Sequence, residues 1–513
     1  MVSVDRRFGS WNRIGTSTKF GASTLEASLA WGFEVDWDGD GVFDGSNETL
    51  RVCGLTTKRG RTSMLKSTGE GYESIPTGQA VITLWNDDGR YDAWNSASPL
   101  YPNVTRGKEV RIRVRDLTAS SETIDNVFYG VITEILPMYG DRPKVNIYVD
   151  DGFSRLRNKA RVALQTGITV DAAIGAVLDA VNWSTRWGRN LTVSGDTIPY
   201  FYGSGDRTAA EECESLANSF LGNFFIGADG SARYITRTTV AASVADFDQS
   251  EVSKDIRNPQ PWENYRNVVQ LKTHVRNSTG SALLYEQFGD AVAVLTTEPL
   301  IDFVSLTFNG NSVPALSLDT PVANVDYTIN SAANGSGSDV SGSCTVTITR
   351  LGDRAKREIV NSSGSTAYVT SFQITGEAIY ERNVSDVYYP RDPSTVADPS
   401  EFFMDLPWQQ NVNTAVSFAD LLGPFLAGQH PFPVVEVESN YSKQFPIELF
   451  DVVTFTSNKL GIGGRSFRVG AIEHASLDES LQRFKTSFYL EPYIASGDYG
   501  EFPFTWGTST FGW

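Results

Sequence analysis

Residues 109–115 read Glu-Val-Arg-Ile-Arg-Val-Arg, which puts Val110, Ile112 and Val114 on one face and three arginines on the other. A period of two belongs to a strand with one buried face and excludes a helix over the same residues. Val127–Ile135 and Lys144–Val149 keep the habit, set apart by Pro, Gly and Asp turn residues. Residues 30–150 are therefore expected to form a β-barrel or sandwich. The period then changes. Ile174, Val177, Leu178 and Val181 fall at helical spacing between Thr169 and Trp183, with Thr169 a candidate N-cap and Asp171 in the first turn. A second helix is expected from Thr208, where Thr208 and Glu211 stand at capping-box spacing and Cys213, Leu216, Ala217 and Phe220 form an apolar stripe. A hairpin turning on Ala228-Asp229-Gly230 completes a small α+β domain over 151–255.

Residues 256–385 return to β, with a hairpin turn at Asn309-Gly310 and a Ser/Gly/Asn-rich run at 330–343 that predicts a flexible loop. Residues 386–495 combine a helix over 415–426 with four alternating strands into a second barrel-like unit. The expected fold class is mainly β and multi-domain: two β-barrel units, a small helical α+β domain and a β-rich insertion. Aromatic, Gly-rich arms at 1–29 and 496–513 share a motif, Gly15-Thr16-Ser17-Thr18 before Phe20-Gly21 and Gly507–Thr510 before Phe511-Gly512. Such arms are expected to dock on something rather than pack alone.

Composition excludes several functions. A net charge of −18 repels bare phosphate backbones and anionic membrane surfaces alike. No apolar run approaches the roughly 18 residues of a membrane span, and the first residues show no apolar export segment, so secretion is not expected. Cys53, Cys213 and Cys344 lie far apart, which fits core thiols rather than a disulfide framework or zinc knuckle.

Chemistry finds few handholds. His274, His430 and His474 occupy three separate segments, and GIGG at 461–464 opens no helix and precedes no Lys-Ser/Thr. The pairs Asp87–Asp88 and Glu211–Glu212 leave acid–base work open, because adjacency in sequence says nothing about facing geometry. The sharpest local pattern is Asp36-Trp37-Asp38-Gly39-Asp40-Gly41-Val42-Phe43-Asp44. Asp36, Asp38, Asp40, the Val42 carbonyl and Asp44 match an oxygen-ligand calcium loop, with Gly41 at the sharp turn. The acid of position 12 is missing, since Asn47 stands there and Glu48 one place late, and the flanking AWGFEVDW reads as a strand. An acidic turn without metal fits the same residues. Calcium is the one cofactor the sequence suggests.

Residues 58–115 are more specific. Lys58-Arg59-Gly60-Arg61 begins a strand, and Ile82–Pro102 reads ITLWNDDGRYDAWNSASPLYP. This is a hairpin whose tight turn would project Arg90, Tyr91 and Trp94 at one barrel end, a cluster suited to a protein interface. The passage resembles the N-terminal hub domain of the phage tail-tip or baseplate hub family, which includes siphophage minor tail proteins and the contractile-tail baseplate hub. The likeness continues through Phe128-Tyr129-Gly130-Val131-Ile132, KVNIYVDDGFSRL, Tyr265–Val269 and the strand Ile447–Val453, covering most of 30–495. Phe450-Asp451 departs from it, standing where that family usually has Gly-Asp. The resemblance implies a structural protein rather than an enzyme. It implies a homotrimer whose two tail-tube-like barrels form a ring between the sixfold tube and the threefold tip. The implied partners are the distal tail protein and tail tube, the tape measure protein, and tail fibre or spike proteins. DNA would pass only in transit, with no stable membrane binding. The implied place is the virion tail tip, after synthesis in a bacterial cytoplasm. The alternative carried by the residues is a calcium-dependent carbohydrate-binding surface protein or adhesin, built on the Asp36 loop and the Tyr91/Trp94 cluster.

Overall fold

The computed structural model describes residues 29–43, 48–117, 124–239, 242–250, 252, 265–287, 289–428, 430–438, 440–479, 481 and 483–493. Both aromatic arms lie outside the described residues, apart from Leu29. Six strands build the first unit: β1 (Leu29–Asp36), β2 (Val52–Gly60), β3 (Gln79–Trp85), β4 (Glu109–Asp116), β5 (Ile124–Met138) and β6 (Lys144–Asp150). They run side by side in the order β1-β4-β5-β6-β3-β2. Alternate apolar residues, among them Ile82, Leu84, Val110, Ile112, Val114, Val145, Ile147 and Val149, converge on one core. The expected strand over 109–115 is β4, but its arginine face is not simply solvated. Arg113 is buried against Glu34 of β1 at 2.7 Å, and Arg111 reaches the same carboxylate.

The second region holds β7 (Lys159–Thr169), α1 (Val170–Ala180), β8 (Arg189–Leu191), β9 (Thr197–Thr208), α2 (Ala209–Asn218), β10 (Asn223–Ile226) and β11 (Ala232–Ile235). The first helix begins after Thr169 as expected, but that side chain makes no capping bond. The Asp171 carboxylate instead accepts the Ser194 N–H. At α2 the capping box is complete, Thr208 and Glu211 each accepting the other's backbone N–H. The β7–β9 ribbon that carries these helices had no clear sequence signal.

Then come β12 (Ala245–Asp248), β13 (Val268–Glu286), β14 (Val292–Val294), β15 (Leu300–Ser305), β16 (Thr307–Phe308), β17 (Asn311–Ser312), β18 (Ala315–Leu318), β19 (Tyr327–Asn330), β20 (Cys344–Leu351), β21 (Arg354–Asn361), β22 (Ala367–Tyr389) and β23 (Glu401–Leu406). The β14–β22 strands close a β-module around its own core, which includes Leu306, Ile329, Ile359 and Phe372. The β16–β17 turn uses Asn309 and Gly310, both at positive φ, as a tight hairpin requires. The run at 330–343 is braced rather than free. Asn330 Nδ2 donates to the carbonyls of Gly335 and Gly337, and Ser331 N–H to Ser338.

The last elements are α3 (Val412–Leu426), β24 (Val434–Glu438), β25 (Val452–Ser457), β26 (Ile462–Ser476) and β27 (Phe484–Pro492). They reveal a duplication. In the first unit the meander β4-β5-β6 is flanked by β1 beside its first strand and β3 beside its last. In the second the meander β25-β26-β27 is flanked by β12 and β24 in the same places. Both central strands, β5 and β26, are 15 residues long and bulged part-way. They differ at one edge, since β1 runs antiparallel to β4 whereas β12 is parallel to β25. The two units fuse into one sheet where Thr56–Gly60 of β2 pairs with Ala471–Ala475 of β26. No described helix is long and apolar enough to cross a membrane.

Candidate functional site

The fusion of the two units explains the Arg59-Gly60-Arg61 motif. Gly60 sits at φ +85, and a Cβ there would lie 2.2 Å from the Gly470 carbonyl, so no side chain fits this crossing. The flanking arginines turn to opposite carboxylates of the second unit. Arg59 pairs with Glu448 at 2.5 Å, and Arg61 makes a two-pronged contact with Glu491 at 2.8 and 3.0 Å. All four side chains are largely buried, and Arg61 also lies 5.4 Å over the rings of Tyr72 and Phe450. Burial alone would lower the Arg61 guanidinium, but the charge and hydrogen bond of Glu491, with smaller contributions from Tyr72 and Glu214, together raise the group. Phe450 itself has φ +63, the left-handed region where glycine is at ease. Its ring compensates by packing 5.1 Å from Phe225.

The turn after β3 is closed by Asn86. Its Oδ1 accepts the Tyr91 N–H at 3.0 Å and its Nδ2 donates to Asp92 at 2.9 Å. Asn95 Nδ2 reaches the Gly89 carbonyl and Ser98 Oγ the Arg90 carbonyl. This folding divides the three residues expected at an interface. Tyr91 is 0% exposed, its ring 6.3 Å from Trp37, and burial pushes its phenol up. Arg90 donates twice to the buried Glu48 carboxylate. Neither is offered to a partner, because the Asn86 bond rotates Tyr91 inward and Glu48 claims the guanidinium. Trp94 alone stands clear, 94% exposed.

Other exposed apolar side chains lie on neighbouring segments. Leu136 and Met138 lie at the end of β5 and Tyr139 just after it. Leu50 joins them through its neighbour Arg51, which is bidentate to Asp88 at 2.8 Å. Leu477 arrives from the second unit, where Glu479 pairs with Lys144 at 3.0 Å. The equivalent hairpins β5–β6 and β26–β27, joined by the Lys144–Glu479 pair, each carry exposed apolar side chains at their ends. Sequence reasoning singled out Trp94, which is exposed, and not the other exposed side chains, since single Leu, Met and Tyr residues at hairpin ends carry no spacing of their own.

In the acidic turn, carboxylate oxygens of Asp36, Asp38 and Asp40 lie within 4.8 Å of one another, whereas Asp44 lies outside the described residues. Val42 is exposed. The donor set fits calcium poorly. Asp36 is buried, accepts the N–H groups of Gly39 and Gly41, and meets Arg186 Nη1 at 3.2 Å. A guanidinium therefore already supplies positive charge to the one buried carboxylate of the set. Arg186 continues to Glu109, which also accepts from Arg155, Trp187 and the Tyr129 hydroxyl. The turn is thus tied to the α+β region.

The histidines are dispersed, each with partners of its own. His474 is buried beside Thr486 Oγ1 at 2.8 Å and pushed down to about 3 by burial. His430 stacks on Phe425 at 4.4 Å and is lowered by burial to about 4. His274 contacts Glu381 and Asp405. The three thiols are free and buried. The carboxylates of Glu211 and Glu212 separate, the first closing the capping box and the second turning into the interior.

No protein-family model and no curated relative matches the chain. Solved structures do. A tail protein from Neisseria meningitidis MC58 is similar over 90% of this chain and 96% of its own, at 10% identity and a TM-score of 0.49. The 43 kDa tail protein of prophage MuSo2 from Shewanella oneidensis is similar over 90% and 98%, at 10% identity and 0.45. An E. coli type VI secretion component, described as structurally similar to T4 tail proteins gp27 and gp5, is similar over 90% and 77%, at 9% identity and 0.35.

Proposed function

We propose that this chain is the structural hub of a phage-type tail tip. The observation that carries the reading is the duplicated strand order, locked across the β2–β26 seam by Arg59–Glu448 and Arg61–Glu491. One chain then holds two similar units in fixed relation, and a threefold axis turns three chains into a ring of six similar positions. Such a ring matches a sixfold tube on one side and a threefold tip on the other. The net charge of −18 suits a lumen through which DNA slides without sticking. The exposed Trp94 side chain and the exposed apolar hairpin ends are the docking face for the distal tail protein or tube. The tape measure protein and tail fibre or spike proteins complete the neighbourhood at the virion tail tip. The hub works by binding and geometry and catalyses nothing itself. Calcium-dependent sugar binding is the weaker reading, because Arg186 holds the Asp36 carboxylate.

Electron microscopy of tail tips should find three copies of this chain. Six copies, or a monomer, would overturn the reading. A lytic band from the purified chain in a cell-wall zymogram, abolished by one carboxylate substitution, would overturn the non-catalytic part.

A further inference from the structure

His274 stands between two carboxylates. Its Nδ1 lies 2.8 Å from Glu381 Oε2 and its Nε2 2.6 Å from Asp405 Oδ1. The three residues come from adjacent strands β13, β22 and β23. A neutral imidazole has one N–H, so its second nitrogen would press a lone pair against a carboxylate oxygen. Only the imidazolium donates to both.

The position matters as much as the pairing. β23 accompanies β13 from Val268 to Thr273 and ends at Leu406. Beyond that rung β13 pairs with β22 alone among the described strands, and the first register shift follows at Val275/Arg276. Two more shifts, at Ser278/Ser281 and Leu283/Tyr285, lead into the β-module with its separate core. The clamp therefore closes the last three-stranded rung before a bulged stretch in which β13 and β22 pair alone as far as Asn277 and Tyr380, where bending is easiest. Lys272 and Arg276 flank His274 on the same face of β13, with Asp386 opposite Lys272. Arg207 from β9 and Glu212 from α2 face the cluster. Arg276 lies 4.4 Å over Trp408 and donates to the Tyr200 and Pro407 carbonyls, a contact that does not change near neutral pH. Burial by itself would lower the His274 imidazole, but its two carboxylate partners outweigh burial and raise it. Burial pushes Glu212 up to about 7.

We propose that His274, with Glu381 and Asp405, is a proton-operated hinge that fixes the β-module to the body when charged and frees it when neutral. Being raised in the fold, the imidazole stabilises the rung fully below its unfolded value, and that contribution is lost as pH rises through the folded one.

Hydrogen exchange on the full chain from pH 5.5 to 8.5, corrected for intrinsic exchange, reads this directly in peptides covering 272–286 and 374–386. Protection there should fall about tenfold across the transition. His274→Gln should remove the transition and leave low protection throughout. Asp405→Asn, which keeps the ring and its shape, should move the midpoint to lower pH, and Glu212→Gln should leave the transition in place. A flat wild-type profile overturns the proposal. So does a transition that survives His274→Gln, an Asp405→Asn midpoint that does not move, or one abolished by Glu212→Gln.

Discussion

Asn86 closes the turn that carries both aromatic side chains of the loop with two hydrogen bonds. Tyr91 and Trp94, three positions apart, therefore differ in kind. Truncating Tyr91 empties part of the first core, so Tyr91→Ala should cost about 3–5 kcal/mol in denaturant unfolding. Trp94→Ala should change stability by less than about 0.5 kcal/mol yet block tail assembly, read by co-sedimentation with tail tubes. Arg186 supports a second prediction. With its guanidinium on Asp36, added calcium should barely change the melting temperature, whereas Arg186→Gln should create a calcium-dependent rise. Equal calcium responses in both proteins would refute the charge argument. The sequence announced these residues but not their orientation, because a turn motif does not say which aromatic its hydrogen bonds turn inward.

At the scale of elements, periodicity identified most strands and all three long helices, since each depends on residues near one another. Thr208 and Glu211 were legible as a capping box because the motif is complete within four residues. The seam was not legible. Arg59-Gly60-Arg61 could be singled out, but Glu448 and Glu491 lie about 400 residues away and nothing local points to them. Phe450 is instructive too, because a residue at φ +63, where glycine is at ease, also packs its ring into a core. Gly60→Ala should force the strands apart at the Gly470 carbonyl and cost at least about 2 kcal/mol. Arg61→Met should cost about 3–5 kcal/mol by leaving Glu491 buried and unpaired. Thermal unfolding of both variants checks the seam, and wild-type stability in either would refute it.

For the whole molecule, buried titratable groups set a pH dependence. Burial pushes Asp151 and Glu212 up to about 7 and Asp451 up to about 6, so the folded chain holds protons that the unfolded chain releases. His430 and His474 act oppositely, staying neutral where unfolded histidines are charged. Below about pH 6 the two sets nearly offset each other. Above the unfolded histidine value near 6.5, only the raised acids and His274 remain. Stability should therefore fall as pH climbs from 6 to 8, lowering the melting temperature by roughly a few degrees in calorimetry. A higher melting temperature at pH 8 than at pH 6 would contradict these assignments.

The seam also bears on how the chain is made. Trp31 stacks on Phe484 at 4.3 Å and donates its Nε1–H to the Leu481 carbonyl, 450 positions downstream. While the ribosome is still translating, β2 must wait with an open edge and the first core with an uncovered tryptophan. Such distant pairing is slow to form and leaves sticky surface in the interval. A chain broken off before its last strands would leave Trp31 and the free edge of β2 uncovered.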